Sequence, residues 1–144
     1  MLYPSFQSGQ LRLRDSWRWP HFSVRELACR CGGRFCGGEY WHDAAFLDAL
    51  EAMRAEAGGP LVINSGHRCA GWNAAVGGAP LSRHKQVAAD IRLSGHDRHT
   101  LLDAAIGAGF TGLGLGRSFL HVDRRARPAR WRPSRWLPRP ILRF

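Results

Sequence analysis

Residues Leu61 to Leu93 read LVINSGHRCAGWNAAVGGAPLSRHKQVAADIRL: two short apolar runs on either side of a long glycine-rich connection. Leu61 to Ile63 is a strand candidate running into Asn64-Ser65-Gly66, and Val87 to Leu93 is a second one. Upstream, Phe46, Leu47, Leu50 and Met53 recur at helical spacing, predicting an amphipathic helix over Asp43 to Ala57 that Gly58-Gly59-Pro60 ends. Ser23 with Glu26 three residues on is a capping box, opening a short helix through Leu27. Downstream, a helix is predicted over Asp97 to Ala108, stopped by Gly109. Gly112 to Leu115 and Phe119 to Val122 then look like a hairpin-type pair of strands. Helices and short strands without a regular βαβ rhythm argue for an α+β domain. No internal repeat is visible.

At 144 residues, one hydrophobic core is expected. An apolar share of 44% with six Trp and seven Phe excludes wholesale disorder. No apolar run approaches the roughly 18 residues of a membrane span. The opening MLYPSFQSGQLRLRDSWRWPHF has no continuous apolar region of the kind an export signal needs, so synthesis in the cytoplasm is expected. The formal net charge is +10, built on 20 Arg and a single Lys. Such a charge suits an anionic partner (nucleic acid, a wall polymer or a membrane surface) without choosing among them. From Arg117 onward nine Arg face one Asp, and four Pro after residue 127 forbid a regular helix or a central strand. The organisation expected is an N-terminal arm over 1–20, a domain over 21–131 and a basic Arg/Pro/Trp tail over 132–144.

Cys29, Cys31 and Cys36 cluster in CRCGGRFCGG, while Cys69 stands alone. A structural zinc site, disulfides and free thiols are all compatible with this pattern, which lacks paired C-x-x-C spacing.

Three segments carry the chemistry: SGHRCAGWN (Ser65 to Asn73), GGAPLSRHKQVAADI (Gly77 to Ile91) and SFLHVD (Ser118 to Asp123). His84, Asp90 and His121 would supply a two-His, one-carboxylate metal set, leaving one position for water. Taken singly, each has an ordinary explanation: a solvated loop His, a turn-capping Asp, a strand His that packs. Together the segments resemble the zinc D-alanyl-D-alanine carboxypeptidase-like family of peptidoglycan peptidases, whose pattern runs S-G-[YH]-R-x-x-x-x-N, G-G-x-x-x-S-x-H-x-x-G-x-A-x-D and F-x-H-x-D. Here these are Ser65-Gly66-His67-Arg68 with Asn73, then Gly77-Gly78 with Ser82, His84 and Ala89-Asp90, then Phe119-Leu120-His121-Val122-Asp123. The resemblance covers roughly residues 21–131.

It implies the hedgehog/DD-peptidase fold, a single domain with a small central antiparallel sheet flanked by helices. It also implies Zn2+ held by His84, Asp90 and His121, and hydrolysis of peptide bonds in peptidoglycan stem peptides or cross-links. Arg68 occupies the family arginine position and is expected to act in catalysis and to bind substrate, Ser82 to bind substrate or orient its loop, and Arg124 or Trp131 to shape the cleft. Asp123, two residues after His121 and so on the same strand face, is the candidate for either a general base or a support of the zinc ligand. A salt bridge to a nearby Arg is its rival reading. A monomer without specific nucleic-acid recognition is expected. Because the substrate lies outside the cytoplasm and no export signal is visible, a phage- or prophage-derived lysis enzyme would reconcile the two. The alternative function is a non-catalytic wall- or polyanion-binding protein that keeps the fold.

One departure bears on that choice. Only Lys85-Gln86-Val87-Ala88-Ala89 separates His84 from Asp90, one residue fewer than in the family, as if a Gly after Gln86 were absent. Either the loss turns Asp90 away from the metal, since strand side chains alternate, or the loop shifts before Val87 and Ala89-Asp90-Ile91 stays in register. The second outcome is the one expected.

Overall fold

Two short strands, β1 (Leu2–Tyr3) and β2 (Tyr40–Trp41), pair antiparallel and fasten the first residues to the rest of the chain. The computed structural model describes residues 1–132, so the tail expected over 132–144 lies outside them except for Arg132. Helix α1 (Phe6–Leu13) opens on a Ser5/Ser8 capping box, and α2 (Val24–Leu27) on the Ser23/Glu26 box. The stretch expected as an arm thus holds a strand and a helix, and it buries Leu13 and Trp19 in the main core.

Helix α3 (Ala44–Ala57) starts where the Asp43 carboxylate accepts a hydrogen bond from the Phe46 N–H at 3.0 Å. It ends at Gly58, whose φ of 73° is left-handed backbone that glycine adopts without a Cβ clash. Its buried stripe is Phe46, Leu47, Leu50 and Met53. Helix α4 (Ala70–Ala75) lies in the glycine-rich connection, and α5 (Arg98–Gly107) packs beside α3. Phe46 meets Phe110 edge-on at 5.5 Å between ring centroids.

The main sheet contains β3 (Ile63–Ser65), β4 (Ala89–Arg92), β5 (Gly112–Leu115), β6 (Phe119–Asp123) and β7 (Ala129–Trp131), in the order β3-β4-β6-β5-β7. Every neighbouring pair is antiparallel except β5 and β7. Strand β7 follows Pro128 and takes an edge, the position a proline-bearing segment tolerates. The architecture is the expected α+β domain.

Alternation along β4, β5 and β6 divides the sheet into two faces. Ala89, Ile91, Leu113, Leu115, Leu120 and Val122 join the core cluster formed with α3 and α5. Asp90, His121, Asp123, Gly112 and Gly114 point the other way by the same alternation. Across the strands, Gly112 lies opposite Asp123 and Gly114 opposite His121. A Cβ on Gly112 would overlap the Asp123 carboxylate, and one on Gly114 would meet the Trp131 indole at 2.7 Å. These two glycines make room for polar and aromatic groups on the site face.

Two outcomes follow from this packing. Leu50 is 0% exposed, so Leu50→Ala should lower the stability read from urea unfolding by about 3 kcal/mol, the transfer and cavity cost of a core leucine. Gly112→Ala should destabilise by about 1–3 kcal/mol through overpacking against Asp123. Gly107→Ala, on a helix surface with no atom within 4 Å of the added Cβ, should instead stabilise by about 0.5–1 kcal/mol in the same assay.

Candidate metal centre

Asp90 on β4 and His121 on β6 are direct cross-strand partners, which puts their side chains on one face with Cβ atoms about 5 Å apart. The third group, His84, comes from a one-turn 3-10 helix, Arg83–Lys85, capped by the Ser82 hydroxyl, which accepts the His84 N–H at 3.2 Å. A strip of backbone holds this turn against the segment after β3. The Arg68 N–H donates to the His84 carbonyl at 2.6 Å, and His84 Nδ1–H donates to the Gly66 carbonyl at 2.7 Å. His67 Nδ1–H donates to the Gln86 carbonyl at 2.8 Å. The loop that lacks one residue is therefore pinned at both His84 and Gln86. Asp90 pairs directly with His121 across β4 and β6, in the register that sets the two side chains on one face.

The three donor atoms converge. His84 Nε2 lies 3.1 Å from Asp90 Oδ1 and 3.1 Å from His121 Nδ1, and His121 Nδ1 lies 3.3 Å from Asp90 Oδ1. The other nitrogen of each ring is already committed, in His84 to the Gly66 carbonyl and in His121 to Asp123 Oδ2 at 2.7 Å. Those partners accept hydrogen bonds, so each ring carries its proton there and aims a lone pair at the common point. Two imidazole lone pairs and a carboxylate oxygen repel one another at such distances unless a cation or proton sits between them. The set is the tetrahedral N/O donor type that zinc takes in an open site, and the committed ring nitrogens supply the outer support such ligands need.

The electrostatics follow from burial and these partners. Burial works against charge on Asp90, but the adjacent imidazoles of His121 and His84 outweigh it and hold the carboxyl well below the usual range. Burial dominates at His84 and pushes its pKa down. At His121 burial is outweighed by Asp123 and Asp90, which push it up. Asp123 is 1% exposed. Burial would raise its pKa, yet Arg125 and His121 hold it low.

The expected site residues therefore occupy distinct places. His84, Asp90 and His121 come together within 4.8 Å. Asp123 stands behind His121 with both oxygens engaged: Oδ1 accepts the Arg125 N–H at 3.0 Å and its Nε–H at 2.9 Å, and Oδ2 accepts from His121 and Arg125 Nη2. Arg68 donates from Nε to Ser65 Oγ at 3.1 Å, from Nη1 to Asn73 Oδ1 at 3.3 Å and from Nη2 to Asp90 Oδ2 at 3.3 Å. Its burial lowers its pKa, against the pull of Asp90. Ser82 serves the turn that carries His84. Beside the cluster, a cleft lined by Trp41, Arg83, Gln86, Val87, Arg124 and Arg125 reaches Asp123.

Sequence reasoning missed several contributors. His67 is buried and bridges Gln86 to Glu39, whose Oε1 lies 3.1 Å from its Nε2. Arg125 anchors Asp123, and its guanidinium stacks over Trp131 at 4.5 Å. Trp131, expected from the sequence as a residue shaping the cleft, lies 5.1 Å from the His121 ring and fills the space Gly114 leaves. The alternating glycines of Gly112-Leu113-Gly114 were a visible signal for this face. The arginine two residues beyond Asp123 was visible too, but nothing in the sequence ranked it above its neighbours.

No curated protein matches the chain. The Peptidase M15 family matches it over residues 20–123, a span that includes α2, the capped 3-10 turn and all three converging donors. That match takes in well over half of the sequence, and the chain belongs to the Peptidase M15 family of peptide-bond hydrolases.

Proposed function

We propose that the protein is a zinc-dependent peptidase that hydrolyses peptide bonds of peptidoglycan, with the metal held by His84, Asp90 and His121. One observation carries this reading: two buried imidazoles, each with its outer nitrogen committed elsewhere, aim their remaining nitrogens at the Asp90 carboxylate. Zinc there would supply Lewis acidity for the attack of water on an amide carbonyl near neutral pH.

The chain's own residues prepare that centre. Arg68 holds Asp90 Oδ2, which leaves Oδ1 facing the ring nitrogens. The Gly66 carbonyl keeps the His84 proton on Nδ1, and Asp123 keeps the His121 proton on Nε2 while fixing the ring plane. Asp123 is thus a positioning residue on this reading, because its buried oxygens are already occupied by His121 and Arg125. Trp131 covers one side of His121 and excludes water there. Arg83 and Arg124 line the cleft beside the cluster, and two guanidinium groups suit the carboxylates of a wall stem peptide. Arg68 spends three of its five N–H donors within the protein and retains two for a substrate oxygen.

The experiment is zinc content and hydrolysis of a purified wall peptide, measured together. His84→Ala and His121→Ala should each remove one equivalent of zinc and reduce hydrolysis to background. Full zinc and full activity in both variants would sink the assignment. Asp123→Asn should weaken zinc about 10- to 100-fold in a chelator competition, the usual cost of losing an outer partner of a ligating histidine. Arg68→Lys should lower hydrolysis much more than it lowers unfolding stability, because a point charge cannot hold Ser65, Asn73 and Asp90 together. Equal losses in both measurements would mark Arg68 as structural only.

A further inference from the structure

The four cysteines lie outside the centre described above, and the fold brings them together. Cys29, Cys31 and Cys36 sit on the loop between α2 and β2, and Cys69 is the N-cap residue of α4. Their four sulfurs lie within 4.8 Å of one another. Cys29, Cys31 and Cys69 are buried and Cys36 is half-buried, and all four are free thiols. Left-handed backbone at Gly32 and Gly33, with φ of 66° and 84°, turns the loop back so that Cys31 Sγ stands 3.6 Å from Cys36 Sγ.

Backbone N–H groups point at three of these sulfurs. The Cys69 N–H donates to Cys29 Sγ at 3.4 Å, the Trp72 N–H to Cys69 Sγ at 3.4 Å, and the Glu39 N–H to Cys36 Sγ at 3.5 Å. Donors aimed at sulfur favour the thiolate, the form that ligates metal. A tetrahedral ion with bonds to sulfur of about 2.3 Å holds its sulfurs about 3.8 Å apart, close to the spacing here. The same spacing has room for one ion and none for an iron–sulfur cluster.

We propose that Cys29, Cys31, Cys36 and Cys69 bind a second, structural zinc ion. On binding, four thiol protons are released to solvent and four sulfur–zinc bonds form, with no change of oxidation state. The ion fastens the 29–39 loop to the start of α4. That junction adjoins Arg68 and precedes Asn73, and Glu39 at the far end of the loop reaches His67. The ion thereby stiffens the strip that holds His84 from behind. The sequence left zinc as one of three readings because the fourth cysteine lies 40 residues from Cys29 and no C-x-x-C pair announces the site.

The test uses the full chain carrying both His84→Ala and His121→Ala, purified under reducing conditions, so that only the cysteine site can hold metal. Elemental analysis should find one zinc per chain. A thiol-directed mercurial should release that zinc stoichiometrically, read with a chromogenic indicator. Replacement by cobalt should give the intense thiolate-to-metal charge-transfer band and visible bands of a tetrahedral tetrathiolate. Cys36→Ser, at the half-buried corner of the cluster, should weaken zinc at least tenfold in a chelator competition while circular dichroism in excess zinc stays unchanged. Absence of metal from the double variant, iron in place of zinc, or a disulfide among these cysteines in the natively purified protein would each overturn the proposal. None of these outcomes depends on whether the histidine site is catalytic.

Discussion

Asp90 faces His121 because β4 and β6 pair antiparallel in a single register, and that register is set from the opposite side of the sheet. Ala89, Ile91, Leu120 and Val122 alternate with the polar residues and are almost completely withdrawn from solvent against α3 and α5. Sliding either strand by one residue would bring Asp90 or His121 into that core and expose Ile91 or Leu120. Each buried aliphatic side chain contributes about 2 kcal/mol, and burying an unpaired carboxylate costs several more, so the slipped pairing is strongly disfavoured. The geometry of the polar face is in this sense a by-product of hydrophobic burial on the other. The strand is locked by its core face whatever the length of the connection before it, and Gln86, just ahead of it, has a ψ of −98° that departs from both helix and strand.

Much of the fold was legible wherever local chemistry and periodicity agreed. The Ser23/Glu26 box, the apolar stripe that begins just after Asp43 and the Gly58 stop gave α2 and α3 nearly to the residue. The pair β5 and β6 was legible from two short apolar runs around a tight connection. Helix α1 escaped because it buries only Gly9 and Leu13 and so has no apolar stripe. Strands β1 and β2 escaped because two-residue pairings between distant segments leave no periodic trace. Strand β7 was hidden by its surrounding prolines and arginines, which mark an edge without showing which strand it joins.

The candidate site shows the same division. Motif order placed His84, Asp90 and His121, and alternation placed Asp123 on the face of His121. What alternation could not convey is whether that carboxylate faces solvent or is sealed behind the histidine. The difference is made by Arg125, which engages it through its main-chain N–H as well as its guanidinium. Local spacing was equally silent about His67, whose role depends on Glu39 and Gln86 from two separate loops.

The arginine bias of the composition has part of its explanation in the same contacts. Arg68 spans Ser65, Asn73 and Asp90, Arg125 clamps Asp123 while stacking on Trp131, and Arg30 donates from one terminal nitrogen to the carbonyls of Glu26 and Ile63, both at 2.8 Å. Each of these ties together groups from different elements, a task for a planar multidentate donor that an ammonium performs poorly. The single lysine, Lys85, donates to the Pro80 carbonyl within its own loop. A positive charge that first reads as a footprint for an anionic partner is therefore partly structural: these guanidinium groups bind the protein's own carbonyls, carboxylates and rings, while Arg83 and Arg124 line the cleft beside Asp123.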